Sequence, residues 1–407
     1  MKTVASRIGI LGFVLISFYS CQTETIEPVQ LINSPAQGQS SEPNLFKSDQ
    51  GDIYLSWIET DSLKHSKLLF STLEKNSKWS SPTVIAEGNT WFVNWADFPS
   101  LLSFGDNMVV HYLDKSAADT YAYDVKLAIS NDNGETWDKA FSPHFDQTNT
   151  EHGFVSKIKM SDDKFMVVWL DGRQYAYAEK DSSLVKQMSI RSAIIDIDGN
   201  IIQENIIDSR VCDCCQTDLI MTEEGPVVVF RDRSDEEIRD IYFSRFINNT
   251  WTEPQSVFDD NWVINGCPVN GPALSANNDT VAVSWFAMED QNPKVKMAFL
   301  SEDQSSFRSP IALDYVFPLG RVDVELNNDK AYVSWMDSSD DLTKIQLQSV
   351  DNSGKKSAVF TVSEISAERS SGFPRMVINN GSVYITWTEV GEQLGIKTAK
   401  IELDQIQ

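Results

Sequence analysis

A pattern of four short apolar segments recurs along this chain about every fifty residues. Within each segment apolar and polar residues alternate, which is the period of a β-strand rather than of a helix. Four-stranded units repeated at this length are typical of a β-propeller, an all-β fold whose blades surround a central axis. In most units the second segment ends in an aromatic residue followed two positions later by an acid: Trp57-Ile58-Glu59, Tyr112-Leu113-Asp114, Trp169-Leu170-Asp171, Phe230-Arg231-Asp232, Trp335-Met336-Asp337 and Trp387-Thr388-Glu389.

The pattern occurs seven times, which predicts seven blades. The seventh unit stops after its third segment, so one blade lacks a strand. Residues 27–31 resemble the fourth segment at residues 253–257, since both begin with Glu-Pro. We therefore predict that a strand within residues 27–33 completes the last blade and removes its exposed edge; the alternative is a linker. The first segments of the seven units lie near Pro43, Pro99, Phe154, Thr217, Pro272, Val322 and Pro374.

The N-terminus reads as a targeting segment rather than as part of the fold. Lys2 and Arg7 precede an apolar run at residues 8–19, which is too short to span a bilayer as a permanent helix. Ser20-Cys21 after such a run resembles a bacterial lipoprotein signal. The resemblance implies lipidation of Cys21 and anchoring in the outer membrane of the cell envelope, with surface exposure suggested by the acids that follow. We expect a signal peptide at 1–20, a linker at 21–26 and a single propeller domain at 27–407.

The charge balance excludes some partners. The chain has 34 basic and 59 acidic residues, a net charge of −25. The electric field of this negative charge repels nucleic acids and anionic lipid surfaces. We therefore expect no nucleic-acid partner and membrane contact only through the lipid anchor.

Four cysteines remain besides Cys21, and they are grouped. Cys212, Cys214 and Cys215 precede the first strand of the fourth unit, and Cys267 holds the matching place in the fifth. Because the starts of neighbouring inner strands converge near the axis, we expect the four thiols to meet. Two disulfides are one interpretation, although a bond between Cys214 and Cys215 would be strained. A thiolate site for Cu(I) or Zn and free thiols are the others; no other cofactor is indicated.

Residues Ser130, Asp132, Gly134, Thr136 and Trp137 follow the pattern S-x-D-x-G-x-T-W. Gly134 suits a turn with positive φ, and the Ser and Asp side chains can accept hydrogen bonds from turn amides. The pattern resembles the Asp-box of the sialidase-like (BNR-repeat) propeller superfamily. The resemblance implies a structural role for these residues and offers the six-bladed sialidase ring as an alternative to seven blades.

The resemblance to sialidases extends into the fourth unit and then breaks down. Arg231 falls on the position of an arginine that binds the substrate carboxylate in that family. The first arginine of the family has no counterpart in the segment at residues 42–45, and Cys214 stands where the family has a supporting Glu. No Tyr occupies a matching place near Arg375. We therefore expect poor cleavage of ordinary α-linked sialosides.

Polar residues at the starts of first segments and the ends of second segments are expected to face the central funnel. The densest stretch is the loop at residues 231–240, which predicts either internal ion pairs or an anion site with acids for proton transfer. The aromatic-x-acid repeats favour blade packing over a ring of binding groups. The residues expected at the funnel are Asp97, His152, Asp171, Arg173, Asp213, Gln216, Asp218, Arg231, Asp232, Arg233, Asn270, Arg321, Asp323, Glu325 and Arg375.

Three functions stay open at this point. One is a sialidase-like protein that binds and hydrolyses glycans, with anion-binding and proton-transfer groups drawn from Arg231, Arg233, Arg321, Arg375, Asp218, Asp232 and Asp171. Another is a non-catalytic propeller that binds a glycan or a surface protein. The third is a redox or copper- or zinc-binding propeller that uses the cysteines. The sequence favours a glycan-interacting protein and leaves turnover open.

Overall fold

The computed structural model describes residues 28–339, 342–392 and 394–407. Seven antiparallel sheets form a ring of blades, numbered 1 to 7 along the chain by their innermost strands. Blade 2 has three strands, and a single bridge between Leu127 and Phe141 stands in place of a fourth. The seven-bladed prediction is confirmed, and the six-bladed alternative is wrong. The predicted signal peptide and the lipidation site at Cys21 lie outside the described residues.

Each blade runs from its innermost to its outermost strand in chain order, except that the outer strand of blade 7 comes first in the chain. The strands are Ser40–Lys47, Ile53–Thr60, Ser66–Thr72 and Thr83–Gly88 in blade 1; Leu101–Phe104, Asn107–Lys115 and Tyr123–Ser130 in blade 2; His152–Ser161, Lys164–Asp171, Met188–Asp196 and Ile201–Val211 in blade 3; Asp218–Thr222, Gly225–Arg231, Ile241–Ile247, Thr250–Trp251 and Gln255–Ser256 in blade 4; Ala273–Asn277, Thr280–Glu289, Asn292–Phe299 and Ile311–Ala312 in blade 5; Pro318–Asn327, Lys330–Ser339, Leu342–Asp351 and Phe360–Ile365 in blade 6; and Arg375–Asn379, Ser382–Glu389, Gly395–Glu402 and Gln30–Ile32 in blade 7.

Helical structure is confined to short segments. An α-helix at Arg173–Lys180 follows the second strand of blade 3, and 3₁₀ turns occupy Arg369–Ser371 and Leu403–Gln405. None of the helices in the described part of the chain has the length and apolar character of a membrane span.

The aromatic-x-acid repeats build the core between blades. Trp57, Trp169 and Trp387 are buried in the second strands of their blades. Their indole N–H groups donate to the acid two residues later, at 3.0 Å to Glu59, 2.8 Å to Asp171 and 3.1 Å to Glu389. A buried indole N–H needs an acceptor, so in these three blades the acid satisfies the indole N–H while the ring fills the core.

The Asp-box forms a closed turn after the third strand of blade 2. Asp132 accepts hydrogen bonds from the Thr136 hydroxyl at 2.6 Å and the Thr136 N–H at 2.9 Å, which lower the pKa of Asp132 to about 2. Ser130 Oγ accepts from the Gly134 N–H at 2.9 Å. Gly134 has φ +83°, and a Cβ there would lie 2.6 Å from the ring of Phe70. These bonds stabilise the turn, which supports the structural role.

The N-terminal strand closes the ring as predicted. Gln30–Ile32 pairs antiparallel with Gly395–Glu402, so that Leu31 lies opposite Ala399. Ile32 is 8% exposed and packs in the apolar layer between blades 7 and 1, whereas Leu31 is 65% exposed. The core therefore holds the side chain of Ile32 but not that of its neighbour Leu31.

We expect Ile32→Ala to lower the free energy of unfolding by about 2 kcal/mol, the lower end of the range for a buried Ile, because the site is at a sheet edge. Leu31→Ala on the same strand should change the free energy of unfolding by about 0.5 kcal/mol or less. Urea unfolding followed by tryptophan fluorescence measures both. Equal losses in the two variants would contradict a closure held by Ile32.

Candidate functional site

The residues that precede the inner strands and the residues that follow the second strands lie on the same face of the ring. His152 at the start of an inner strand lies opposite Asp171 at the end of the second strand, which shows this geometry in blade 3. A cavity of about 840 Å³ opens here, and we call it the funnel cavity. It is lined by Phe92, Asn94, Trp95, Ala96, Asp97, Asp119, Thr120, Tyr121, Tyr123, Asn149, Thr150, Glu151, Phe154, Tyr175, Met188, Asp213, Cys214, Cys267, Val269 and Arg369.

Two carboxyl groups share one phenol on the cavity wall. Tyr123 Oη lies 2.6 Å from Glu151 Oε1 and 3.4 Å from Asp97 Oδ2. Burial raises the pKa of Asp97 to about 8 and that of Glu151 to about 7. Gly153 permits the approach, because a Cβ there would lie 2.0 Å from Asp97 Oδ2. Carboxyl groups that titrate near neutral pH can serve as proton donors and acceptors.

Aromatic rings cover much of the same wall. Phe92 stacks on Tyr123 with ring centroids 4.1 Å apart, and Tyr121 meets Phe92 edge to face at 6.3 Å. Tyr121 is 63% exposed, and Trp95, which also lines the cavity, is partly exposed. Arg369 is an exposed cation on the rim. Flat apolar surfaces beside a few polar groups suit a ligand with both polar and apolar faces.

The four cysteines lie close together, with Cys214 and Cys267 on the cavity wall and Cys212 and Cys215 buried, and we call them the sulfur cluster. Cys212 Sγ lies 3.6 Å from Cys215 Sγ and 3.9 Å from Cys214 Sγ, and Cys267 lines the same cavity wall as Cys214. All four are free thiols in the structure. Hydrogen bonds from Cys214 and Cys215, with the nearby Arg239 guanidinium, hold the pKa of Cys212 well below its usual range. Disulfide pairing stays a prediction.

His152 lies beneath the cavity rather than in it. It is fully buried and stacks on His144 with ring centroids 3.9 Å apart. Asp146 Oδ1 lies 3.3 Å from His152 Nε2, and Asp171 is held by Arg173 at 2.6 Å. These groups form a buried polar layer that supports the start of blade 3.

The arginines predicted to hold an anion do not converge on the funnel cavity. Arg231 is buried and donates to the main-chain carbonyls of Asn270, Arg239 and Phe286 at 2.6–3.1 Å. Its guanidinium carbon also lies 4.9 Å from the centre of the Trp262 ring. The guanidinium N–H groups of Arg231 are therefore bonded to main-chain carbonyls of the protein rather than directed at a ligand.

Arg321, Arg375 and Arg233 are each engaged elsewhere. Arg321 donates to Ser371 Oγ at 2.7 Å and to the Gly372 carbonyl at 2.9 Å, and burial lowers its pKa to about 10. Arg375 pairs with Asp323 at 3.3 Å, and both residues line a second cavity that is formed mainly by inner strands. Arg233 pairs with Glu237 at 2.8 Å, within the loop of residues 231–240.

The predicted acids mainly connect one blade to the next. Asp218 accepts the Leu274 N–H at 2.7 Å, Asp323 accepts the Met376 N–H at 2.7 Å, and Asp97 accepts the Phe154 N–H at 2.8 Å. Each bond joins the inner strand of a blade, or the segment just before it, to the inner strand of the following blade. Asp232 is separate: burial raises its pKa to about 7, and it lies within the 231–240 loop, bridged to Val211. Asp97 is the one acid of the predicted set that reaches both the funnel cavity and Tyr123.

Sequence reasoning missed Tyr123, Glu151 and the aromatic wall. Glu151 directly precedes the inner strand of blade 3, so its position alone could have placed it at the funnel. Tyr123 begins the third strand of blade 2, and its partner is 28 residues away. No spacing within the chain indicates that pair.

No protein-family model matches the sequence, and neither does any curated protein. Among solved structures, a protein of unknown function from Dyadobacter fermentans is similar over 92% of this chain and 98% of its own, with a TM-score of 0.53 and 12% identity. The polysaccharide lyase Uly1 is similar over 91% of each chain, with a TM-score of 0.53 and 8% identity. An α-L-arabinanase from Penicillium chrysogenum, complexed with arabinobiose, is similar over 94% of this chain and 99% of its own, with a TM-score of 0.50 and 11% identity. At these identities the likeness shows the fold.

Proposed function

We propose that the protein binds a carbohydrate chain in the funnel cavity and hydrolyses it, with Glu151 protonating the departing bridging oxygen while water adds its hydroxyl to the other sugar and returns a proton to Glu151. The observation that carries this proposal is the Tyr123 phenol between two carboxyls, beside exposed aromatic rings in a cavity large enough for a few sugar units. The names of the arabinanase and the polysaccharide lyase describe proteins that act on carbohydrates with this architecture, which supports the choice of ligand.

Glu151 suits the role of acid better than Asp97. A carboxylic acid that protonates the bridging oxygen must retain its proton near neutral pH and must reach the ligand. Glu151 meets both conditions, since its pKa is raised to about 7 and it is partly exposed on the cavity wall. Asp97 is buried and bonded to the Phe154 N–H, so it positions Tyr123 rather than contacting the ligand.

We expect Tyr121→Ala to weaken binding of the recognised polysaccharide about tenfold, the loss that about 1.4 kcal/mol of aromatic contact produces. Tyr177→Ala, on the exposed side of the helix Arg173–Lys180, is the matched control and should bind as the unmodified protein does. Calorimetry against a panel of neutral and acidic polysaccharides measures both. Equal affinity in the two variants would contradict a carbohydrate site at Tyr121.

The same panel tests cleavage through the release of oligosaccharides detected by mass spectrometry. Glu151→Gln should retain binding and lose product formation by about 100-fold or more, as expected for loss of a general acid. Product formation unchanged in this variant would reject Glu151 as the proton donor while leaving the binding proposal intact.

A second candidate function is binding of a soft metal ion, Cu(I) or Zn(II), at the sulfur cluster. The sulfur separations of 3.6 and 3.9 Å favour it, because they are close to the roughly 3.8 Å between two sulfurs held about 2.3 Å from one tetrahedral ion. A disulfide would need its sulfurs at about 2.05 Å. This function and carbohydrate binding use different residues and can be tested separately.

A further inference from the structure

The sulfur cluster has two parts that differ in exposure. Cys212 and Cys215 are buried, and Cys214 is partly buried in the same short turn. Cys267 is exposed and belongs to the segment before blade 5. Cys214 Sγ lies 3.9 Å from Cys212 Sγ, and Cys214 shares the wall of the funnel cavity with Cys267, so Cys214 links the two parts.

We infer that Cys212, Cys214 and Cys215 form a Cu(I) site and that Cys267 is the exchangeable thiol through which the ion enters and leaves at the funnel cavity. The inference rests on the second candidate function, metal binding, and assigns its ion and its route.

The three-cysteine turn is held in place before any ion binds. The Cys212 N–H donates to the Arg231 carbonyl at 2.9 Å, and Val211 beside it bridges to Asp232. The ligand atoms of the three cysteines lie within 4.8 Å of one another. A preformed arrangement reduces the ordering that binding would otherwise require.

A buried cation stabilises the sulfur anions that a metal needs. Arg239 Nη1 lies 3.2 Å from Cys212 Sγ, and Arg239 Nη2 is held by Glu237 at 2.8 Å. Each cysteine that ligates the ion gives up its thiol proton to water, so binding is a ligand exchange without oxidation or reduction. Arg239 offsets part of the negative charge that remains.

The donor set favours Cu(I) over Zn(II). All the donors are sulfur, which selects soft ions. The carboxylate of Asp213, which lies in the same turn, accepts from Tyr175 at 2.9 Å and pairs with Arg233 at 3.4 Å. Structural zinc sites use four fixed ligands, whereas here the fourth sulfur is on an exposed segment of another blade.

Cys267 is placed to move the ion between the cavity and the buried thiols. Both Cys267 and Cys214 line the funnel cavity, and Cys214 Sγ lies 3.9 Å from the buried Cys212 Sγ. An ion bound first by Cys267 and Cys214 can pass to Cys212 and Cys215 by replacing one sulfur at a time. The reverse order releases it.

The test uses the full chain carrying Cys21→Ser, so that the four thiols are the only ones present. The reduced protein competes anaerobically with a coloured Cu(I) chelator, and native mass spectrometry gives the stoichiometry. We expect one Cu(I) per chain and an affinity lower by about 100-fold or more in Cys212→Ser, since even outer-shell changes cost about 10–100-fold. If Cys212→Ser does not fold, Cys214→Ser is measured instead, and the same loss of Cu(I) affinity is expected. Cys267→Ser should keep the stoichiometry, keep the affinity within about tenfold, and slow transfer of Cu(I) to the chelator.

The outcomes separate the inference from the function on which it rests. Absence of bound Cu(I) and Zn(II) in the reduced protein would overturn both. Affinity lost equally in Cys267→Ser and Cys212→Ser would overturn the exchange route and leave a four-sulfur metal site. Displacement of Cu(I) by equimolar Zn(II) would overturn the choice of ion.

Discussion

Arg231→Met should lower the free energy of unfolding by about 3–5 kcal/mol, the cost of breaking a buried charged network. The guanidinium donates four hydrogen bonds to three main-chain carbonyls from separate segments of blades 4 and 5. Methionine fills a similar volume but leaves those carbonyls without donors, and each unsatisfied buried acceptor costs about 1–3 kcal/mol. Denaturant unfolding at pH 7 measures the loss.

Arg233→Met is the matched control. Arg233 is two residues away and pairs with Glu237 at the partly exposed surface, so its loss should cost about 1 kcal/mol or less. A loss of stability in Arg231→Met no larger than in the control would show that Arg231 is free to act on a ligand, as an anion-binding arginine would be.

Stability should fall as the pH rises from about 4 to about 8. Burial raises the pKa of Asp97 from 3.8 to about 8 and that of Glu325 from 4.5 to about 8. The folded protein therefore keeps protons that the unfolded chain releases in this interval, and the stabilisation is present at low pH and lost towards the folded pKa. Each such carboxyl adds a slope of up to about 1.4 kcal/mol per pH unit.

Asp97→Asn should remove the share of this slope that Asp97 contributes, because an amide keeps the shape without a titrating proton. Asp132→Asn is the control: the pKa of Asp132 is lowered to about 2, so it stays ionised throughout the interval and its replacement should leave the slope unchanged. Thermal unfolding measured between pH 5 and pH 7 compares the three proteins. A slope as steep in Asp97→Asn as in the unmodified chain would show that Asp97 is already ionised in the folded state.

The ring was predictable because every blade must bury the same kind of surface. An aromatic residue followed two positions later by an acid recurs in most second strands, and the missing strand of the last unit has a visible match in residues 27–31. The placement of Cys214 and Cys267 on the wall of one cavity follows from the same positional reasoning, since both precede inner strands of adjacent blades.

The roles of the charged residues were harder to predict because they depend on main-chain groups far away in the chain. Asp218 lies at the start of an inner strand, but its carboxylate accepts the N–H of Leu274, 56 residues later. Arg231 stands in the position of a ligand-binding arginine, yet three carbonyls take its donors. A buried main-chain group requires a partner, and the sequence does not show which side chain supplies it.

Closure by the strand Gln30–Ile32 also bears on synthesis of the chain. This strand leaves the ribosome before any of the blades, while its partner Gly395–Glu402 emerges after all the others. Until then a nascent chain has a nearly complete arc with unpaired strand edges at both ends, which are surfaces that pair readily with other chains. We therefore expect ribosome-bound chains that stop short of residue 395 to need chaperone protection, whereas the released protein does not.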